Sequence, residues 1–270
     1  MPFVEAGGHR LHYEWIGPGP EHTPTLVFLH EGLGSVSMWR DFPAQLAAAT
    51  GLGALVYSRY GYGKSDVLRE ARKVDYMHDE AFLTLPEVLV ALGVRDPIPI
   101  GHSDGGSIAL LYGGSVEARR AGAGKDGPAP RALVTMAAHV FVEQLSVDSI
   151  AAAKVAYETT DLPKRLGRHH DDVDKTFWGW NDIWLLPAFF HWNIEEYLPT
   201  ITCPVLAMQG EDDEYGTIKQ VEAIRDQAGG PVTVAMLPKC KHSPHRDQLA
   251  LTIETISGFI KDVTRKAAAQ

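Results

Sequence analysis

The stretch of residues 97–106, Pro-Ile-Pro-Ile-Gly-His-Ser-Asp-Gly-Gly, constrains the fold of this chain more than any other. A short apolar run ends in a glycine, and two more glycines follow closely. The pattern predicts a buried strand, a sharp turn, and a helix from Gly105 to about Glu117. Gly101 and Gly105 suit a tight turn, because a Cβ atom at either position would crowd the backbone. The turn between strand and helix carries Ser103.

The rest of the chain alternates strand and helix patterns on both sides of this unit. Continuous apolar runs predict buried strands at residues 25–29, 54–57, 132–136, 205–208 and 232–237. Helical patterns between most of these runs imply right-handed crossovers. The sequence therefore predicts an α/β fold, with a mostly parallel central sheet and helices on both faces. Residues 9–16 alternate polar and apolar side chains, which predicts an antiparallel edge strand.

Residues 139–199 interrupt this alternation. The segment has little strand pattern, and prolines and glycines break its helical stretches. After residue 199 the strand and helix patterns resume. We therefore predict one α/β core, formed by residues 1–138 and 200–270, with a helical insertion at 139–199. One core is reasonable for an α/β chain of 270 residues.

Composition and charge narrow the classes of partner and location. The formal net charge is -9 and no run is rich in Lys or Arg, which argues against nucleic-acid and anionic-membrane partners. The chain has neither a signal-peptide pattern at its start nor a run of about 20 apolar residues that would span a membrane. Cys203 and Cys240 are expected too far apart for a disulfide. Two free thiols predict a cytoplasmic location, and a homodimer is one oligomeric state the sequence allows.

The turn at residues 101–105 spells G-x-S-x-G, which is typical of a nucleophile elbow. A serine hydroxyl attacks only when a base takes its proton, and that base needs an acid to orient it. Two loops that follow predicted strands, at residues 210–214 and 239–245, offer both kinds of residue. The candidate acids are Glu211, Asp212, Asp213 and Glu214, and the candidate bases are His242 and His245.

With these motifs the chain resembles the α/β-hydrolase fold superfamily, in its capped, single-domain esterase-like branch. The resemblance covers nearly the whole chain. It rests on H-x-G-x-G at 30–34, the G-x-S-x-G turn, G-x-x-D at 210–213 and H-x-P at 242–244. The family order is nucleophile, acid, base. The resemblance implies a catalytic triad of Ser103, Asp213 and His242.

The resemblance also implies an oxyanion hole made by two backbone amides. One amide is that of Asp104, the residue after the nucleophile. The other comes from the loop at 30–34, whose sequence His-Glu-Gly-Leu-Gly departs from the usual H-G-x-G of the family. Leu33 is the expected donor, with Gly32 as the alternative. Glu31 stands where the family histidine does when the glycines are aligned, and it is either a pocket residue or a surface residue.

The helical insertion resembles the cap that covers the nucleophile in this branch. The resemblance implies an aromatic substrate pocket that includes Trp178, Trp184 and Trp192; the alternative is that most of these rings pack the insertion onto the core. The run His-His-Asp-Asp at 169–172 predicts a solvated helix start, because adjacent histidines on a helix point to different sides and ligate one metal poorly.

The sequence therefore predicts a serine hydrolase without metal or other cofactor. Its expected partner is a small-molecule acyl substrate, a carboxylic ester, a lactone or a related compound, cleaved through an acyl-enzyme. One alternative is a carbon-carbon bond hydrolase of a ring-cleavage product. A second is an amino-acid ester or peptide hydrolase, because the Ser-Asp-Gly-Gly sequence at 103–106 resembles that of α/β-hydrolases that cleave amino-acid esters. A third is a non-catalytic binding protein on the same scaffold.

Overall fold

The computed structural model describes residues 1–22, 24–114 and 127–268. Within these residues eight strands form one sheet in the order β1-β2-β4-β3-β5-β6-β7-β8. Their bounds are β1 (Phe3–Ala6), β2 (His9–Ile16), β3 (Thr25–Leu29), β4 (Gly53–Tyr57), β5 (Pro97–His102), β6 (Leu133–Met136), β7 (Val205–Gly210) and β8 (Val232–Leu237). All pairs from β4 across to β8 are parallel, so the predicted mostly parallel sheet is confirmed.

The strand at residues 9–16 is antiparallel, as predicted, but it is not the edge of the sheet. β1 pairs with its outer side, with Val4 opposite Leu11. Gly7 and Gly8 connect the two strands, and both have positive φ angles, 60° and 76°. Two left-handed residues make a tight hairpin turn that suits the twist of the strands. β1 has only four residues, so its alternation was too short to recognise in the sequence.

Helices cover both faces of the sheet, as predicted. Their bounds are α1 (Phe42–Thr50), α2 (Tyr76–Asp79), α3 (Leu85–Ala91), α4 (Asp104–Gly114), α5 (Gln144–Thr159), α6 (Leu162–Leu166), α7 (Val173–Trp184), α8 (Lys219–Gln227), α9 (Pro244–Asp247) and α10 (Leu249–Ala268). A π-helical turn at residues 80–84 joins α2 to α3. The expected end of α4 near Glu117 lies outside the described residues.

Two hydrophobic layers explain why the strands are continuous apolar runs. Along β3, Val27 and Leu29 point into a layer built with α2, α3, α4 and α8. Leu26 and Phe28 point into the opposite layer, which is built with α1 and α10. Both faces of each central strand are therefore buried, and the alternation of a half-exposed strand is absent.

The helical segment predicted at residues 139–199 contains α5, α6 and α7, followed by 3-10 turns at 187–191 and 195–200. Its two ends meet, because Phe141 and Asn193 form an antiparallel bridge. Phe177, Trp184 and Phe189 belong to the same hydrophobic layer as α4. The division into a core and a cap remains a prediction.

Two smaller observations concern the cysteines and the membrane. Cys203 and Cys240 are both free thiols, as the strand positions led us to expect. In the described ranges, no helix is both long and apolar enough to cross a bilayer.

Candidate active site

Ser103 lies on the turn between β5, which ends at His102, and α4, which begins at Asp104. Its φ angle is 52°, a left-handed conformation that is rare for residues other than glycine. A Cβ atom at Gly101 would come within 2.1 Å of the Gly105 carbonyl oxygen, and one at Gly105 within 1.9 Å of the Leu29 oxygen. Only glycine fits at both positions, so the turn closes tightly around the serine.

A chain of hydrogen bonds joins Ser103 to a histidine and a carboxylate on two other loops. Nε2 of His242 lies 3.0 Å from Oγ of Ser103, and Nδ1 of His242 lies 2.8 Å from Oδ1 of Asp213. Because a carboxylate only accepts hydrogen bonds, Nδ1 carries the proton and Nε2 is free to accept the serine proton. The loops after β7 and β8 supply these two side chains, at the carboxyl edge of the sheet where Ser103 also lies.

The competing acids and the competing base lie elsewhere. Glu211 and Asp212 are exposed, and Glu214 accepts from the backbone amide of His242 at 3.2 Å rather than from its ring. His245 is buried against Trp39, with ring centroids 4.9 Å apart. Burial lowers the pKa of His245 well below its usual value. Among the candidates, Asp213 and His242 are the two that the structure brings to Ser103.

The environment of Asp213 keeps its carboxylate ionised. Burial alone would raise its pKa, but the hydrogen bonds from His242 and from the Tyr215 amide outweigh burial and lower it. An ionised acid next to Nδ1 holds the histidine tautomer and stabilises the imidazolium that forms when Nε2 takes a proton. The arrangement can therefore activate a serine hydroxyl.

The loop at residues 30–34 and the start of α4 place three residues with unbonded backbone amides around the cavity above Ser103. Gly32, Leu33 and Asp104 all line this cavity. Within the described residues, no group accepts a hydrogen bond from any of the three amides. Free amides beside a nucleophile are suited to bind an oxyanion.

Glu31 belongs to a charged group at the edge of this cavity, in which its own side chain is mostly covered and Arg246 is exposed. Its Oε1 lies 3.3 Å from Nη2 of Arg246, and its Oε2 lies 3.5 Å from Nδ1 of His102. Burial alone would raise the pKa of Glu31, but His102 and Arg246 outweigh burial and lower it well below its usual value. Glu31 therefore lines the cavity as one member of an ion pair, and its side chain is only 15% exposed.

The cavity above Ser103 has a volume of about 290 Å³. The predicted pocket residue Trp184 lines it, and so does Trp180, which the sequence analysis did not select. Trp178 borders a separate cavity with Leu68 and Lys175, while Trp192 is buried in a stack with Phe189. The apolar wall of the Ser103 cavity is formed by Leu33, Met38, Ile150, Leu166, Trp180 and Trp184.

Helical geometry explains which tryptophans face the cavity. Trp180 and Trp184 are four residues apart on α7 and share one face, whereas Trp178 is two residues from Trp180 and points to nearly the opposite side. A Cβ atom at Gly32 would come within 2.0 Å of Nε1 of Trp180, so the glycine makes room for this ring. The i, i+4 spacing is the signal that would have selected Trp180.

Asp104 is fully buried, and the two oxygens of its carboxylate differ in their contacts. Oδ2 accepts a hydrogen bond of 2.6 Å from the Tyr76 hydroxyl and lies 3.6 Å from Nη2 of Arg59. Nε1 of Trp184 donates to the same Tyr76 hydroxyl at 3.2 Å. Among the residues described, Oδ1 of Asp104 has no partner. Arg59 and Tyr76 were not selected from the sequence.

The histidine pair at 169–170 differs from the expected solvated helix start. His170 is buried: its Nδ1 accepts from the Gly63 amide and its Nε2 donates to the Leu33 carbonyl, both at 2.9 Å. Burial lowers the pKa of His170 to about 4. Asp172 does cap α7, through the Lys175 amide. In the part of the chain the structure describes, no group of three or more His, Cys, Asp or Glu is placed to hold a metal ion.

Comparison with known proteins places the chain in a family. Residues 26–255 match the alpha/beta hydrolase family. A proline iminopeptidase from Lactiplantibacillus plantarum is 30% identical over 120 residues; this match covers 42% of the chain but only 38% of that enzyme.

Solved structures agree on the fold. The proline iminopeptidase of Mycobacterium smegmatis is 18% identical, with a TM-score of 0.72 over 98% of this chain and 99% of that one. The enol-lactonase of Burkholderia xenovorans LB400 is 20% identical, with a TM-score of 0.70 over 96% of this chain and 100% of that one. With a family match over most of its length and the elbow described above, this chain belongs to the alpha/beta hydrolase family.

Proposed function

We propose that this protein is a serine hydrolase that cleaves a small carboxylic ester or lactone through an acyl-enzyme. The observation that carries the proposal is the hydrogen-bonded chain from Ser103 to His242 to Asp213, next to free backbone amides. The base contacts both the nucleophile and the acid, which is the arrangement that acyl transfer by serine requires. Water then releases the acyl group.

Each residue has a defined role in the proposed reaction. Nε2 of His242 takes the Ser103 proton as Oγ attacks the carbonyl carbon, and the oxyanion of the tetrahedral intermediate binds the loop amide and the Asp104 amide. His242 then gives its proton to the leaving alcohol oxygen, which departs. In the second half His242 activates water in the same way, and Asp213 holds the imidazole throughout.

The cavity supports a small substrate with an apolar acyl group. Its volume of about 290 Å³ lies at the lower end of the range for ligand pockets. Trp180, Trp184, Ile150 and Leu166 supply an apolar wall, which favours burial of hydrocarbon rather than a polar chain. The fold shared with an enol-lactonase is compatible with a cyclic ester.

The test is a panel of acyl substrates together with a fluorophosphonate probe. Wild type should hydrolyse short nitrophenyl esters and be labelled, whereas Ser103→Ala should not be labelled and should lose about 1,000-fold or more in kcat. Ser243→Ala is the matched control, because Ser243 also lines the cavity but lies outside the hydrogen-bonded chain; it should be labelled. Retention of more than about a tenth of the activity in Ser103→Ala would contradict the proposal.

The same panel separates two other functions. Cleavage of 2-hydroxy-6-oxo dienoates without cleavage of nitrophenyl esters would favour a carbon-carbon bond hydrolase. Absence of labelling in wild type would favour a non-catalytic binding protein. The cytoplasmic location and the absence of nucleic-acid and membrane partners remain predictions, and a homodimer remains one oligomeric state that the sequence allows.

A second candidate function is hydrolysis of amino-acid esters or N-terminal residues of peptides. It is favoured by the unpartnered Oδ1 of Asp104 at the cavity and by the partial likeness to a proline iminopeptidase. A substrate ammonium would satisfy that oxygen. Arg59 opposes it, because a guanidinium already faces the same carboxylate. Equal kcat/KM for valine and isovalerate nitrophenyl esters would exclude this candidate and leave the simple ester hydrolase.

A further inference from the structure

Arg59, two residues after β4, is a buried cation that faces two parts of the proposed oxyanion hole. The side chain is only 2% exposed. Its Nη2 atom donates to the carbonyl oxygen of Glu31 at 3.0 Å and to that of His30 at 3.2 Å. The same atom lies 3.6 Å from Oδ2 of Asp104. One guanidinium therefore joins the loop at 30–34 to the residue that follows the nucleophile.

The contact with Glu31 acts on the amide of the next residue. The Glu31 carbonyl and the Gly32 amide belong to one planar trans peptide, in which C=O and N–H point in opposite directions. Three donors hold this oxygen: Nη2 of Arg59 at 3.0 Å, Nδ1 of His30 at 2.7 Å and the Gly34 amide at 3.0 Å. Rotation of the peptide would break all three bonds, so the direction of the Gly32 N–H is set.

The positive charge of Arg59 beside the Glu31 carbonyl also strengthens the Gly32 amide as a hydrogen-bond donor. Hydrogen bonds made by the two ends of a peptide group polarise each other. A cation next to the Glu31 carbonyl oxygen therefore makes the Gly32 N–H more positive. The Leu33 amide lacks this support, since no described residue donates to the Gly32 carbonyl that shares its peptide. Between the two loop amides, the one that Arg59 orients and polarises is that of Gly32.

The contact with Asp104 removes an electrostatic conflict. The Asp104 amide is the second proposed donor, and Asp104, whose carboxylate is buried, lines the cavity in which the negative charge develops. An uncompensated carboxylate there would oppose the oxyanion at low dielectric. A guanidinium stays protonated when buried, so it offsets this charge in every step.

We propose that Arg59 is a positioning residue for the oxyanion hole: it orients the Glu31–Gly32 peptide, so that Gly32 rather than Leu33 is the loop donor, and it neutralises Asp104. This inference rests on the proposed serine-hydrolase function. Arg59 itself does not touch the substrate, since it does not line the Ser103 cavity.

The variants must separate positioning from a general contribution to folding. Arg59→Met alone would leave Asp104 buried without a counter-charge, which is costly for folding. The informative comparison is therefore Arg59→Met/Asp104→Asn against Asp104→Asn. Arg72→Met is the matched control: its guanidinium also lies over the Tyr62 ring, at 4.6 Å compared with 4.7 Å for Arg59, but it donates to the Tyr60 carbonyl.

Two readouts report on the oxyanion hole rather than on the fold. One is the split between kcat and KM for nitrophenyl acetate. The other is the inhibition constant of a trifluoromethyl ketone, which adds the serine Oγ to its carbonyl carbon and places an oxyanion in the hole. Relative to Asp104→Asn, the double variant should lose about 10- to 100-fold in kcat, less than deletion of a donor. Its KM should change less than about threefold and the inhibition constant should rise in parallel with the loss in kcat.

Arg59→Lys keeps the positive charge but has a single nitrogen. Its kcat should therefore lie between those of wild type and the double variant. Arg72→Met should keep kcat within about twofold of wild type. A double variant with the kcat and inhibition constant of Asp104→Asn would overturn the inference, as would the same loss in Arg72→Met. Failure of the proposed function would look different: the wild type itself would be neither labelled by the fluorophosphonate nor active on esters. A failure of the Arg59 inference alone leaves the wild type labelled and active.

Discussion

Oδ1 of Asp213 lies 2.8 Å from Nδ1 of His242, while the adjacent Asp212 is exposed to solvent. The Asp212 amide donates to the Cys240 carbonyl, a contact that needs no carboxylate. Two neighbouring acidic residues in one loop therefore differ completely in their relation to the histidine. The difference is testable because both can be changed to the amide of the same size.

Asp213→Asn should lower kcat by roughly 1,000- to 10,000-fold, because an amide supports the wrong His242 tautomer while it preserves the shape of the site. Asp212→Asn should stay within about twofold of wild type, as expected of an exposed substitution. The measurement is kcat for a nitrophenyl ester, with circular dichroism to show that both variants fold. Effects in the reverse order would assign the acid to Asp212.

Gly105→Ala should destabilise the protein by at least about 2 kcal/mol, since its Cβ would lie 1.9 Å from the Leu29 carbonyl oxygen and the backbone would have to move. Gly258→Ala is the matched control on the exposed side of α10, where nothing lies within 4 Å of the added atom. It should stabilise the helix by about 0.5–1 kcal/mol. Urea unfolding of the three proteins measures both effects; equal stabilities would show that the turn relaxes freely.

Trp180→Leu should widen the cavity above Ser103 and raise the kcat/KM ratio of octanoate to butyrate nitrophenyl esters by about tenfold, the scale for one or two methylenes in an apolar pocket. Trp178→Leu should leave the ratio within about twofold of wild type, because Trp178 borders a different cavity. The ratio cancels losses that affect both substrates. A larger shift for Trp178 would mean that the acyl group occupies the other cavity.

The stability of the protein should depend on pH through His170. Burial lowers its pKa to about 4, against about 6.5 in an unfolded chain. Between these two values the unfolded chain binds a proton that the folded chain does not, so this contribution falls as the pH falls and is present in full above about pH 6.5.

His170→Gln removes the titrating group. The stability advantage of wild type over this variant should therefore shrink by about 2 kcal/mol between pH 7 and pH 5, at about 1.4 kcal/mol per pH unit below 6.5. Urea unfolding at pH 5, 6 and 7 measures the difference in free energy of unfolding between the two proteins. The contributions of the other histidines cancel, because both proteins contain them. Parallel curves for the two proteins would show that His170 is protonated equally in both states.

The sequence alone determined the α/β alternation, the mostly parallel sheet and the position of the elbow. These features are local: a strand buried on both faces must be apolar throughout, and a turn in which a Cβ would collide with backbone must use glycine. The four-residue β1 escaped notice because a strand that short has too few residues to show a period.

Only the tertiary structure decided which polar residues surround the proposed site. Arg59 meets the Glu31 carbonyl 28 residues away, and His170 meets the Leu33 carbonyl 137 residues away. In sequence an arginine in a glycine-rich loop and a histidine before a helix resemble solvated residues. Their burial depends on elements distant in the chain packing over them, so no local pattern reports it. The same holds for α7, where packing decides that Trp180 faces the cavity and Trp178 does not.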